Sequence, residues 1–208
     1  LPKDKAVLTG SPIRAELLEG DRKAGLSYAH LTEDKPVLLI IGGSLGSVAV
    51  NTAVRKILPQ LLNTFQVIHI CGKGNLDESL IGTEGYVQYE YVDKPLRHLF
   101  AAADLIICRA GAATISEVCA SALPCIMVPS PNVTNNHQEK NAMVLQGRGA
   151  AVVVPEAGCS GKLLFDTAKE ILTDPARTKS MRQAASSLAV VDSAQRIYET
   201  ALELIQSR

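Results

Sequence analysis

Short continuous apolar runs alternate along the chain with stretches whose apolar positions recur three and four residues apart. The runs are Pro36 to Ile41, Leu105 to Cys108, Pro124 to Val128 and Ala150 to Val154, and Gln66 to Ile70 reads as a further strand. A strand that is apolar at nearly every position is covered on both faces, as in a parallel sheet flanked by helices. Tyr86 to Val92 alternates polar and apolar instead, and reads as one more strand. Between these runs the spacing predicts a helix from about 48 to 62, with Val48, Val54, Leu58, Leu61 and Leu62 among its apolar positions. A short helix follows Pro95 with Leu96, Leu99 and Phe100 on one face, and another starts near Asn136. Beyond residue 160 the chain reads as helical over 160–172, 175–188 and 190–206. The last of these carries the stripe Ala194, Ile197, Tyr198, Ala201, Leu202 and Ile205. Ala6 to Thr9 is a short apolar run that ends in the turn residues Gly10 to Pro12, and the charged residues 19–35 read as a surface connection. Strands alternating with helices through residue 154 predict an α/β fold, a Rossmann-like doubly wound parallel sheet with right-handed crossovers.

Three segments that follow strands carry the candidate chemistry. Arg109-Ala110-Gly111-Ala112-Ala113-Thr114-Ile115-Ser116-Glu117 joins a strand to a helix through small residues. Such a junction leaves backbone N–H groups and the positive end of a helix dipole at the carboxyl edge of the sheet, where open parallel sheets bind ligands. Thr114, Ser116 and Glu117 add two hydroxyls and a carboxylate, the shape of a nucleotide-diphosphate site with Glu117 on a sugar diol. Taken alone, the stretch reads equally as an ordinary turn with Thr or Ser as helix cap. Gly42-Gly43-Ser44-Leu45-Gly46-Ser47 is a second phosphate-cradle candidate, because glycine lets the backbone approach oxygen closely. It lacks the Gly-Lys-Ser/Thr of a Walker loop and the G-x-G-x-x-G spacing of a dinucleotide fingerprint, so NAD is disfavoured. Gln138 and Asn141 stand three apart on a helix face, and their amides suit sugar hydroxyls. Capping by Asn136 and plain surface polarity explain that stretch equally well. Arg14 is suited to a phosphate or carboxylate, although a solvated arginine is the commoner case.

Composition narrows the classes. The chain has 208 residues, 47% of them hydrophobic, with 21 basic against 21 acidic side chains. A formal charge of zero gives no general reason to expect nucleic acid or an anionic surface as partner. No Trp and 4% aromatics make stacking platforms for bases unexpected. The five cysteines, at 71, 108, 119, 125 and 159, show no CxxC spacing and read as buried free thiols rather than a disulfide framework or zinc site. No metal and no cofactor is expected. No run reaches the roughly 18 apolar residues that span a bilayer, and no signal peptide is visible. Leu1-Pro2-Lys3-Asp4-Lys5 reads as the interior of a longer polypeptide, so an excised domain is expected.

With these residues assembled, the chain resembles the carboxyl-terminal half of the MurG family of bacterial peptidoglycan glycosyltransferases. The carriers are Thr9 to Arg14, Gly42 to Gly46, His69 to Gly74, Ala103-Asp104-Leu105, Arg109 to Glu117 and His137 to Ala142, in order and over nearly the whole chain. The resemblance implies half of a two-domain GT-B enzyme that transfers N-acetylglucosamine from UDP-N-acetylglucosamine to lipid I, making lipid II for the cell wall, on the cytoplasmic face of the membrane as a peripheral protein. It implies that Arg14 and Ser44, beside Gly43, meet the donor's phosphates and that the backbone at Val92 reads uracil. It also implies that Ala112, Ala113, Thr114, Ile115, Ser116 and Glu117 hold diphosphate and ribose, and that Gln138 and Asn141 read the sugar. The sequence departs from the family pattern at Leu45, usually Gln, at Ser11, usually Asn, at Asn136, often Asp, and by one extra residue within 91–95.

The resemblance further implies that the catalytic base and the lipid acceptor site belong to an amino-terminal domain. Residues 1–35 are then a lead-in segment, 36–188 the nucleotide-sugar domain, and 189–208 a terminal helix that docks on that other domain. The chain alone is expected to bind donor without turnover. Two alternatives stand beside this reading: a stand-alone nucleotide-sugar-binding subunit that needs a partner acceptor domain, and an enzyme like UDP-N-acetylglucosamine 2-epimerase, which requires catalytic carboxylates in the crevice.

Overall fold

The structure, a computed structural model, describes residues 6–206. Leu1 to Lys5, read above as polypeptide interior, lie outside the described residues. Six strands form one sheet: β1 (Val37–Ile41), β2 (Gln66–Ile70), β3 (Tyr86–Tyr89), β4 (Leu105–Cys108), β5 (Cys125–Met127) and β6 (Ala151–Val153). Every pairing is parallel, and the spatial order is β3-β2-β1-β4-β5-β6. This is the doubly wound arrangement the patterning predicts.

Alternation along each buried strand sorts the core into two layers. Leu38, Ile40, Val67, Leu105 and Ile107 face one side. They pack there against α2 (Val48–Lys56), α3 (Leu58–Thr64) and α7 (Gly161–Leu172), which contribute Val50, Val54, Leu61, Leu164 and Ile171. Leu39, Ile68, Ile106, Cys108 and Met127 face the other side. Their partners come from α1 (Arg22–Tyr28), α4 (Leu96–Ala102), α5 (Ala112–Ala120), α6 (His137–Gly147) and α8 (Pro175–Ser187). The last helix, α9 (Ser193–Gln206), buries only Ser193 and leaves Ile197, Tyr198 and Ile205 exposed.

The structure departs from the patterning in three places. Residues 22–28, read as a surface connection, form α1. Asp21 caps it by accepting the Ala24 N–H at 2.7 Å, and a Cβ on Gly25 would lie 2.0 Å from the His98 carbonyl of α4. So close a helix contact requires glycine, and Arg22 adds a two-pronged bond to Asp104 at 3.3 and 3.2 Å. The predicted helix over 48–62 is two helices. Ile57 leaves helical geometry at φ −119°, and α3 begins anew at Leu58 with Pro59 in its first turn. The strand predicted over Tyr86 to Val92 stops at Tyr89, because β2, its only ladder partner among the described residues, ends at Ile70. Ala6 to Thr9 joins no strand, and Val7 and Leu8 are exposed.

The strand order reverses direction between β1 and β4. Their carboxyl ends therefore diverge and open a crevice, which is where sheets of this topology take ligands. The turns 42–47 and 109–111 leave from those two ends.

Candidate functional site

The turn after β1 is closed upon itself. Gly46 donates its N–H to the Gly43 carbonyl at 3.0 Å, and the Ser47 hydroxyl caps α2 by accepting the Val50 N–H at 3.3 Å. Gly46 has φ +76°, and a Cβ there would lie 2.0 Å from the Cys71 carbonyl. Glycine is thus required at Gly46 by both conformation and space. Gly43, at φ +92°, has no atom within 4 Å of the same notional Cβ. One side of the turn packs on the loop after β2, and the other, Gly43 and Ser44, faces the crevice.

The turn after β4 is open. Gly111 is the N-cap of α5 and offers no side chain, and the first helix-closing bond runs from the Ile115 N–H to the Gly111 carbonyl. Among the described residues the N–H groups of Ala112, Ala113 and Thr114 have no acceptor. They carry the positive end of the α5 dipole into the crevice, the geometry that binds phosphate oxygens. Arg109 braces the turn from behind. It donates to the Val128 carbonyl at 3.0 Å and pairs with Glu156.

Six of the sequence-predicted residues meet in one cleft of about 160 Å³: Arg14, Gly43, Ser44, Val92, Thr114 and Glu117. Thr114 and Glu117 are three apart and so share a face of α5. Arg14 Nη2 donates to Glu117 Oε1 at 3.0 Å, with side-chain exposures of 41% and 17%. Ala112, Ile115, Ser116 and Asn141 line a neighbouring hollow of about 240 Å³ on the other face of α5. Ala113 lies exposed at the helix start between them. Gln138 and Asn141 are engaged by backbone rather than free to turn. Gln138 Oε1 accepts the Ser130 N–H at 2.9 Å, and Asn141 Nδ2 donates to the Ala110 carbonyl at 3.2 Å. The Gln138 amide nitrogen and the Asn141 amide oxygen make no hydrogen bond among the described residues. His137 is held at the helix start, its Nδ1 donating to the Thr134 carbonyl at 3.0 Å.

Sequence reasoning missed Glu90, Tyr91 and Ile70, which also line the cleft. Glu90 Oε1 accepts the Gly74 N–H at 2.5 Å and so clips the loop after β2 to the end of β3. The available signal was position: each follows or ends a strand at the carboxyl edge. A larger depression of about 510 Å³ lies at the opposite, amino edge, beside Pro36, Arg22 and Asp104. Its Asp104 carboxylate is already taken by Arg22 and by the Val37 N–H at 2.9 Å.

The cysteines are all unpaired, and Cys71, Cys108, Cys119 and Cys125 are buried. Burial pushes the Cys108 thiol up to about 12 and Cys119 to about 11, so neither offers a thiolate nucleophile. No group of three or more His, Cys, Asp or Glu among the described residues is placed to hold a metal ion.

The Glycosyltransferase family 28 C-terminal domain matches residues 37–197. The chain belongs to this family. It is 47% identical over 175 residues to a UDP-N-acetylglucosamine–N-acetylmuramyl-(pentapeptide) pyrophosphoryl-undecaprenol N-acetylglucosamine transferase of Lachnospira eligens, covering 84% of this chain and 49% of that relative. The crystal structure of Acinetobacter baumannii MurG superposes with a TM-score of 0.71 at 25% identity, over 92% of this chain and 55% of the other. The chain therefore has the fold of one half of a GT-B glycosyltransferase. A UDP-N-acetylglucosamine 2-epimerase matches at TM-score 0.56 and 19% identity, over 88% of this chain and 46% of that one, which shows a shared fold alone. The family 28 chain spans about half the length of the curated relatives it matches.

Proposed function

We propose that this family 28 domain is the donor-binding half of an N-acetylglucosaminyltransferase, and that it holds UDP-N-acetylglucosamine for transfer to lipid I. The observation that carries the reading is the uncapped N-terminus of α5 facing a cleft whose wall also bears the Glu117 carboxylate. The free N–H groups of Ala112 to Thr114 suit a diphosphate, and Arg14 supplies a cation beside them. Glu117 suits the ribose diol, a carboxylate accepting two hydroxyl hydrogens. Gly43 and Ser44 close the cleft opposite. Val92, buried in its wall, brings its backbone to the base, where a peptide N–H and C=O complement the uracil edge. Gln138 and Asn141, with one donor group and one acceptor still unengaged, suit the sugar hydroxyls.

Leaving-group departure in such a transfer builds negative charge on the diphosphate. Dipoles and cations already pointing at that position lower the barrier. The general base for the acceptor hydroxyl is assigned to the other half of the enzyme, with the lipid site. In this scheme residues 36–188 are the donor domain, 1–35 lead into it, and the 189–208 segment docks on the acceptor half. The exposed Ile197, Tyr198 and Ile205 of α9 support that docking. No helix among the described residues is long and apolar enough to cross a membrane. Peripheral association at the cytoplasmic face is accordingly assigned to the whole enzyme through its acceptor half.

Calorimetric titration of the chain with UDP, UDP-N-acetylglucosamine and UDP-glucose tests the reading. Heat with the first two, and weaker binding of UDP-glucose, is expected. No heat with any uridine nucleotide sinks the site assignment, and turnover of a lipid I analogue by this chain alone sinks the division of labour.

A further inference from the structure

His69 lies in the middle of β2, fully buried, and takes no part in the cleft. Both of its ring nitrogens are bonded. Nδ1 is 2.9 Å from the Tyr86 hydroxyl, and Nε2 is 2.9 Å from Asn51 Oδ1. Asn51 is itself buried on α2, and its Nδ2 donates to the Cys71 carbonyl at 2.9 Å. That bond fixes the orientation of the Asn51 amide, so Oδ1 must accept. His69 Nε2 therefore carries the proton, and Nδ1 accepts from the Tyr86 O–H. The hydrogen bonds run in one direction, with one proton per bond and no spare polar atom on the imidazole.

The network ends beneath the glycine turn after β1. The Cys71 carbonyl is the group against which Gly46 lies, with 2.0 Å to a notional Cβ, and a Cβ on Gly72 would lie 2.2 Å from the Gly46 nitrogen. Asn75 Nδ2 adds a bond to the Leu45 carbonyl at 3.2 Å. Arg55, one turn beyond Asn51 on α2, donates to the Asn75 carbonyl at 2.5 Å. The loop after β2 is thus suspended from α2 and in turn supports the glycine turn after β1. An apolar trio of the same volume would fill the space without polar desolvation. What the polar trio adds is a defined position for one carbonyl.

We propose that His69 is a positioning residue for the Gly43–Ser44 wall of the cleft, acting through Asn51 and the Cys71 carbonyl. The proposal rests on the donor-site reading only for its ligand. Burial and the neighbouring Arg55 cation hold the imidazole neutral down to about pH 3, which keeps the Nδ1 acceptor in place.

The test pairs UDP calorimetry with site-resolved amide hydrogen exchange on the chain and three variants: Tyr86→Phe, His69→Leu and His69→Gln. Tyr86→Phe and His69→Leu are expected to speed exchange at Gly43 to Gly46 and to weaken UDP binding, each by about threefold to tenfold. His69→Gln keeps one donor and one acceptor, and is expected to stay within about twofold of the parent. Parent-like exchange and affinity in Tyr86→Phe overturns the proposal, as does His69→Gln behaving no better than His69→Leu. Faster exchange spread evenly, including Ile126 on β5, also overturns it, since that is plain loss of stability. Should His69→Leu not fold, Tyr86→Phe decides, because its ring still fills the site. A parent chain that binds no UDP refutes the donor reading, while the exchange rates still decide this one.

Discussion

The turns after β1 and β4 are built from similar residues and end up opposite in character. Both join an inner strand to a helix through glycine at the carboxyl edge of the sheet. After β1 the helix N-terminus is capped by Ser47, and the glycines are consumed in packing and in a backbone bond. After β4 Gly111 leaves three N–H groups unanswered. The capped helices α1, α2, α7 and α8 use Asp21, Ser47, Ser160 and Asp174. A glycine cap in place of such a residue gives up only a few tenths of a kcal/mol, and the two small residues that follow Gly111 keep the approach clear. The first turn is a wall and the second a grip. Glycine content does not distinguish them; the partner of each N–H does.

Replacing Gly46 by Ala probes the wall, and the largest effect is expected there. A side chain at φ +76° against the Cys71 carbonyl should remove about 3 kcal/mol or more of stability in urea unfolding. Gly43→Ala, strained but with open space around it, should lose only about 1 kcal/mol. Equal losses would mean that the two sides of the turn are not different.

Acid should weaken the same wall. His69 titrates near 6.5 when unfolded and at about 3 in the fold, held down by burial and then by Arg55. The unfolded chain therefore takes up a proton that the folded chain refuses. His69's contribution is complete above about pH 6.5 and is lost as pH falls toward 3, at up to about 1.4 kcal/mol per unit. Urea midpoints for the parent and His69→Gln across pH 4 to 8 check this: the parent's slope below pH 6.5 should flatten in the variant.

Glu117→Ala addresses the grip. UDP affinity should fall about tenfold to a hundredfold, as for a lost charged hydrogen bond. Stability should move by less than about 1 kcal/mol, because the Arg14 pair is solvent-exposed. Parent-like UDP binding would remove the ribose role.

The smallest effects bear most directly on the comparison. Ser47→Ala should lose about 1 kcal/mol of stability with UDP affinity within about twofold of the parent. Gly111→Ser has room, its nearest neighbour being Thr114 Oγ1 at 3.9 Å, and adds the cap that α5 lacks. It should gain a few tenths of a kcal/mol and bind UDP several-fold more weakly. If Ser47→Ala were the variant that lost UDP, the assignment of wall and grip would be reversed.

Much of this was legible without coordinates. Runs such as Val37 to Ile41 and Leu105 to Cys108 announce buried parallel strands, because a strand covered on both faces has no polar side to show. The small-residue junctions at 42–47 and 109–117 mark the carboxyl edge for the same local reason. Helix α1 was not legible. Its seven residues show no apolar stripe long enough to announce a helix, and it exists because Gly25 lets it settle on α4 and Arg22 reaches Asp104. Nor could spacing reveal that Gln138 and Asn141 already hold Ser130 and Ala110, since those bonds run from α6 back to the loops after β5 and β4.

The order of hydrophobic and polar residues was therefore enough for the fold class, the strand set and the two glycine junctions, since each depends on burial and backbone conformation within a few residues. What the closed turn rests on, the Cys71 carbonyl bonded by Asn51, belongs to neighbouring elements. The position of that carbonyl and the facing of the two cleft walls are set by groups far apart in the chain. They exist only once β1, β2 and β4 lie side by side.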